Sequence, residues 1–148
     1  MYDNVLVPTD GSDVSEKAVE HAIHQAKQDG GKLHVLHTVD ADTLPSSVSS
    51  ISVDDEFKEM GEDIVEGVVK QAESEGVEAE GTVISGSSAE QIVKYADEHD
   101  IDLIVMGTHG RTGIGRVISG SVTEHVVRSA TVPVLVIHIE DPADADDD

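Results

Sequence analysis

Apolar residues along the chain fall into two alternating arrangements. Short, dense runs stand at Asn4-Val-Leu-Val-Pro8, Lys32 to Val39, Val77 to Ser85, Leu103 to Met106 and Pro133 to Ile139. Runs of this length bounded by Gly, Pro and Asp predict strands, and the wholly apolar Leu103 to Met106 suits a strand covered on both faces. Between them the apolar positions recur at helical spacing. Ala18, Ala22 and Ala26, with Val19 and Ile23 beside them, give a helix from Asp13 to about Asp29 whose small face can lie close on a sheet, and Gly30-Gly31 stops it. Phe57, Met60, Ile64, Val68 and Ala72 mark the core face of a second helix over roughly residues 53–75. Ile92, Val93 and Ala96, with Tyr95 nearby, carry a third from Ser88 to Asp100, and Val122, Val126 and Ala130 a fourth from Val122 to Ser129. Asp13-Val-Ser-Glu16 and Ser88-Ala-Glu-Gln91 match the capping-box pattern at helix starts. Asp40 to Ser52, with Pro45 and five serines, predicts a mobile surface loop.

Strand and helix alternate through nine elements, which places the chain in the α/β class with a doubly wound, five-stranded parallel sheet and helices on both faces. Right-handed crossovers leave few topologies. Winding outward from the first strand, returning and continuing on the other side gives the order 3-2-1-4-5. Ligands in such sheets bind beyond the carboxyl ends of the strands where the order reverses, here between strands one and four. The Pro8 to Ser12 turn and the stretch after Met106 would meet there.

Length and charge narrow the picture. The 148 residues suit one domain over 1–139, followed by an acidic tail, Glu140 to Asp148, with nothing to bury and expected to be disordered. A formal charge of −22, from 31 acidic and 9 basic residues, argues against nucleic acid and anionic membranes as partners. The periodic apolar runs reject disorder for the rest of the chain, so the charge predicts a halophilic source, where only direct contacts escape screening. With no apolar run of membrane length, no leader and no cysteine, the expected place is the cytoplasm. All three arginines, Arg111, Arg116 and Arg128, lie between 103 and 139 with one acid, Glu124, a balance that suits an anionic ligand.

Gly107 to Ser121 reads GTHGRTGIGRVISGS, with five glycines in fifteen residues. Glycine at that density serves unusual dihedrals or the close approach of another body. The stretch ends at the amino terminus of the fourth helix, where free N–H groups and the dipole favour an anion. The dipole contributes at most about 2 kcal/mol against the roughly 8 kcal/mol of micromolar binding. The remainder must come from N–H groups of Gly110 to Arg111 and Gly120 to Thr123, the hydroxyls of Ser121 and Thr123, Arg111, and a metal on the phosphates. Asp10, at the end of the first strand, suits either a ribose or a simple Asp-Gly-Ser turn. Neither GxxxxGK[ST] nor a complete GxGxxG is present. His21 and His24 fit a solvated helix face, and His109 either a turn or the phosphates.

Gly107-x-x-Gly110, nine residues, then Gly120-Ser121 resembles the GxxGx9G[ST] signature of the ATP-binding branch of universal stress proteins. Val-Leu-Val-Pro-Thr-Asp10-Gly-Ser, His37-Thr-Val-Asp40, and Gly-Ser-Val-Thr-Glu-His followed by Val-Pro-Val-Leu-Val extend the resemblance over residues 2–139. It implies the 3-2-1-4-5 sheet, a homodimer through the last strand (Val134, Val136), and ATP with Mg or Mn at the switch point. Asp10 and Gly107 would meet the ribose, and the Thr38 backbone the adenine beside Pro8 and Thr9. Met106 would line that pocket. Gly110, Arg111, Gly120, Ser121, Val122 and Thr123 would hold the phosphates; Thr112 to Gly115 receive no role. The first functional reading is a non-enzymatic, ATP-binding stress regulator with no catalytic residue assigned. The alternatives are a slow ATPase or phosphotransferase in the same pocket, or a binder of another adenylate. Hydrolysis needs a positioned water and charge stabilisation at the γ-phosphate; the arginines could stabilise charge, but no evident base sits in the loop, Glu124 having no direction that the sequence fixes.

Overall fold

A computed structural model of the chain describes residues 2–39, 51–109 and 120–139. Residues 40–50 of the loop expected over 40–52, the middle of the glycine-rich stretch, 110–119, and the acidic tail, 140–148, lie outside the described residues, while Ile51 and Ser52 are helical. The elements are β1 (Asn4–Pro8), α1 (Asp13–Asp29), β2 (Lys32–Val39), α2 (Ile51–Ser74), β3 (Ala79–Ser85), α3 (Ser88–Glu98), β4 (Leu103–His109), α4 (Gly120–Ser129) and β5 (Val134–Ile139). All four adjacent strand pairs are parallel and the order is β3-β2-β1-β4-β5.

Alternation along the central strands divides the core in two. Val5, Val7, Leu103 and Val105 face α1 and α2, where they meet Ala18, Val19, Ala22 and Ile23. Leu6, Ile104 and Met106 face the other way, onto Ile92, Tyr95 and Val126 of α3 and α4. Both faces of β1 and β4 are covered, which is why their sequences carry no polar alternation. The alanine face of α1 is fully buried as expected, and the helix ends on Gly30 in the left-handed conformation (φ 66°), with the Gly31 N–H returning to Ala26 O at 2.9 Å.

Several boundaries and faces differ from the sequence expectation. The N-cap of α1 is Ser12, one residue before the predicted box, and its hydroxyl accepts the Ser15 N–H at 3.3 Å. Ser87 caps α3 through its backbone, because Ser88 is buried and its hydroxyl is committed to Thr38 at 2.6 Å. α2 begins at Ile51, and β4 runs on through Gly107 to His109, so the glycine-rich stretch starts inside a strand. On α2, Met60 is 59% exposed, whereas Gly61, Val65 and Ala72 are the buried positions among residues 58–74. The sheet selects the helix face on which a glycine admits the His37 ring, and Met60 is carried past the contact.

A polar chain, buried at its Tyr95–His34 end and exposed at the Asn4–Asp100 bond, crosses β1, β2 and α3. The Asn4 amide donates to Asp100 O at 3.4 Å, which turns its Oδ1 to His34 Nε2 at 3.1 Å; Tyr95 Oη then donates to His34 Nδ1 at 2.9 Å. With the ring neutral, Nε2–H donates to Asn4 Oδ1 and Nδ1 accepts from Tyr95. Burial, then the Lys32 ammonium, hold its pKa below the ordinary 6.5, with Glu80 opposing and the exposed His99, which stacks on Tyr95, adding to the depression. The unfolded chain protonates His34 first, so stability falls as pH drops below 6.5 until the folded-state pKa is reached. Urea unfolding at about pH 7.5 and about pH 5.5 is expected to show this loss, and His34→Gln to remove that part of it. Equal losses in both proteins would refute the assignment. The depressed carboxylates, Asp29 and Glu80, stabilise the fold above their ordinary values of 3.8 and 4.5 and lose that contribution only at lower pH, as they gain protons, so they do not enter this comparison.

Candidate functional site

The sheet opens where its order reverses. β1 stays paired with β2 up to Pro8 and Leu36, and β4 with β5 up to His109 and Ile139. Between β1 and β4 the paired positions are Val5 with Leu103 and Leu6 with Ile104. Above that level the halves of the sheet part, as switch-point crevices do. Continuing the register sets Pro8 level with Met106 and Thr9 level with Gly107.

One wall is the turn from β1 into α1. Thr9 N–H still bonds Leu36 O at 2.9 Å, and Thr9 O accepts His37 Nδ1–H at 2.8 Å. Asp10 Oδ1 accepts Ser12 N–H at 2.9 Å and Ser15 Oγ–H at 3.0 Å. Asp10 is thus a turn residue in fact, and its half-buried carboxylate is held at the mouth of the crevice by that same turn chemistry. The two readings of Asp10 are compatible.

The opposite wall is β4 with the start of α4. Thr123 is buried and its hydroxyl reaches Gly107 O at 3.4 Å, tying the first turn of the helix to the strand. Val122 packs against the core around Leu6 and Met106, while Ser121 is exposed. The first N–H groups of any helix lack intrahelical partners, so the turn from Gly120 to Thr123 offers donors to an anion. Thr38 is buried with its hydroxyl bonded to Ser88, which leaves its backbone for a ligand. Met106 is fully buried beneath Gly107, and so contributes by packing under the crevice. Gly110 and Arg111 lie outside the described residues. The donor set fits a nucleotide: a carboxylate for ribose hydroxyls on one wall, helix N–H donors for phosphate on the other.

Other expectations resolve differently. Arg128 pairs with Glu124 one turn away on the exposed face of α4, an i,i+4 ion pair that accounts for its charge locally. His21 and His24 are exposed, and among the described residues no group of three or more His, Asp or Glu side chains could hold a metal ion. A cavity of about 310 Å³ opens between α1 and α2 beside the turn after β1, bordered by Thr9, Gly11, Ser12, Ile64 and Val68.

Two supporting residues escaped the sequence reading. His37 alternates with Leu33 and Val35 onto the α2 face and pins the Thr9 carbonyl, although the sequence suggested no partner for it. Ser15 lies three, four and seven residues before Ala18, Val19 and Ala22, on the buried face of α1. A hydroxyl on a buried stripe must be hydrogen-bonded, and that was the legible signal.

A family model described as the universal stress protein family matches residues 1–138. Universal stress protein MJ0531 of Methanocaldococcus jannaschii is 39% identical over 140 residues, covering 93% of this chain and 82% of its own. The solved structure of hypothetical protein MJ0577, described as a structure-based assignment of biochemical function, superposes with a TM-score of 0.82 at 29% identity, covering 95% of this chain and 99% of its own. The universal stress protein from Archaeoglobus fulgidus in complex with dAMP superposes with a TM-score of 0.65 at 26% identity, covering 92% and 98%.

Proposed function

The chain belongs to the universal stress protein family, and from that premise we propose that it is an ATP-binding regulatory protein whose nucleotide lies in the crevice between β1 and β4. The observation that carries the reading is the convergence of the Asp10 carboxylate and the first turn of α4 on opposite walls of one crevice. In this reading Asp10 and Gly107 meet the ribose, the Thr38 backbone with Pro8 and Thr9 meets the adenine, and Met106 supports the pocket from below. Gly110, Arg111, Gly120, Ser121, Val122 and Thr123 hold the phosphates. A divalent ion, Mg or Mn, bound through the phosphates would offset their charge in a protein that carries −22 overall. Regulation without turnover is favoured over hydrolysis because the sequence of the glycine-rich stretch, Gly107 to Ser121, offers no evident base for a water. The dAMP bound by the Archaeoglobus relative favours one further reading, a smaller adenylate as the resident ligand.

The test is to purify the protein in molar KCl, as its charge supports a salt-rich cytoplasm, then denature it and identify what is released. ATP in near-stoichiometric amount is expected. A monophosphate instead would select the second reading, and no released nucleotide together with no calorimetric response to ATP and Mg or Mn would remove both.

The family resemblance also supports a homodimer through β5. That strand is hydrogen-bonded on one side, to β4, and Leu135 is 39% exposed along it, with Val134 and Val136 half-buried. Pairing with a second copy would cover this edge. Light scattering is expected to give twice the chain mass for the wild type and the single mass for Val136→Asp; an unchanged mass would dismiss the β5 interface.

A further inference from the structure

Ser15 lies in the first turn of α1 and is 3% exposed. Its hydroxyl has four oxygen neighbours: Thr9 Oγ1 at 3.0 Å, Ser12 Oγ at 3.3 Å, Asp10 Oδ1 at 3.0 Å and Ser12 O at 2.9 Å. Capping does not explain them, because the Ser12 hydroxyl already accepts the Ser15 N–H. Counting protons assigns directions. Thr9 Oγ1 accepts the Gly11 N–H at 3.2 Å and passes its own proton to Ser15 Oγ. Ser12 Oγ, having accepted the Ser15 N–H, does the same. With both lone pairs of Ser15 Oγ occupied, its single proton goes outward, and the ionised carboxylate is a stronger acceptor than the Ser12 carbonyl. Three hydroxyls therefore converge on one directed bond to Asp10 Oδ1, which also takes the Ser12 N–H at 2.9 Å. A backbone donor and a buried side-chain donor on one oxygen fix both the plane and the tilt of the carboxylate.

We propose that Ser15 is a positioning residue, whose buried hydroxyl aims the Asp10 carboxylate at the ribose hydroxyls and thereby sets a preference for ribonucleotides over their deoxy analogues. The inference rests on the nucleotide reading above and deepens it. Ser15 itself touches no ligand. It acts through Asp10, so its effect should exist only when both Asp10 and ribose hydroxyls are present, which a merely structural serine would not require.

The experiment is calorimetric titration of the full chain with Mg·ATP and with Mg·2′,3′-dideoxy-ATP, in wild type, Ser15→Ala, Asp10→Ala and the double variant. Losing one hydrogen bond to a charged group corresponds to about tenfold in affinity. Wild type is expected to favour ATP by about tenfold or more, and Ser15→Ala to lose about tenfold on ATP while changing less than about twofold on the dideoxy analogue. The double variant is expected to bind no more weakly than Asp10→Ala. The ratio between the two nucleotides does not depend on the fraction of protein folded, since both require the same fold. Ser15→Cys, close in size with a weak donor, is expected to lose the same ratio should the alanine variant fold poorly. Equal losses on both nucleotides, or a wild type indifferent to the ribose hydroxyls, would overturn the role of Ser15 and leave nucleotide binding standing. A wild type that binds neither nucleotide would instead bring down the reading on which it rests.

Discussion

Replacing Gly120 by valine is expected to weaken ATP binding by about a hundredfold or more, equivalent to roughly 3 kcal/mol, while leaving the fold intact. Gly120 is the first residue of α4, and the phosphate subsite depends on the backbone of that turn. A β-branched side chain there would hold phosphate oxygens away from the N–H groups of that turn. The ligand-free protein should scarcely notice, since valine in a helix is favoured over glycine by a few tenths of a kcal/mol. Calorimetry with Mg·ATP, paired with thermal unfolding without nucleotide, separates the two effects. An affinity within about threefold of the wild type would mean that phosphate does not sit at the amino end of α4.

Two alanine substitutions on α2 are expected to act in opposite directions. Gly67→Ala should stabilise the protein by about 1 kcal/mol, because a Cβ there meets nothing within 4 Å and alanine is the better helix former. Gly61→Ala offers the same propensity gain, yet its Cβ would lie 2.6 Å from His37 Cδ2 and 3.2 Å from Val83 Cγ1. The His37 ring cannot simply swing aside, since its Nδ1–H is bonded to Thr9 O at 2.8 Å. Overpacking and the loss of that bond together cost about 2–4 kcal/mol, which exceeds the propensity gain. A net loss of about 1–3 kcal/mol is expected in urea unfolding. His37→Ala in the Gly61→Ala background should recover part of the steric cost. If both glycine variants stabilise the protein equally, α2 does not rest on His37 in the manner described.

The second prediction also explains where sequence reasoning loses the trail. The α2 stripe drawn through Phe57, Met60, Ile64, Val68 and Ala72 holds at Val68 and Ala72 and fails at Met60, because it weighed apolar side chains, whereas the contact there is made at Gly61, where nothing projects. Periodicity finds faces that stick out and misses those formed by an absence. The same holds for His37 and Ser15, whose partners come from other turns of the chain: Thr9 O for the first, Thr9 and Asp10 for the second. Arg128 shows the converse error. Its sign suggested an anion, and a helical neighbour four residues earlier, Glu124, accounts for it.

What the linear chain determined is the alternation of strand and helix, the order β3-β2-β1-β4-β5 and the two stretches that flank the crevice. These follow from local rules, since hydrophobic period, glycine stops and right-handed crossovers act within one or two elements at a time. Only the tertiary structure decided that β1 and β4 part above Leu6 and Ile104, that the turn before α1 is held by three hydroxyls around Asp10, and that Thr38 turns its hydroxyl inward to Ser88. Each of these depends on which proton or which van der Waals surface meets which across long separations in sequence. No period along the chain encodes that, because the partner is chosen by the packing of the sheet and its two helical layers.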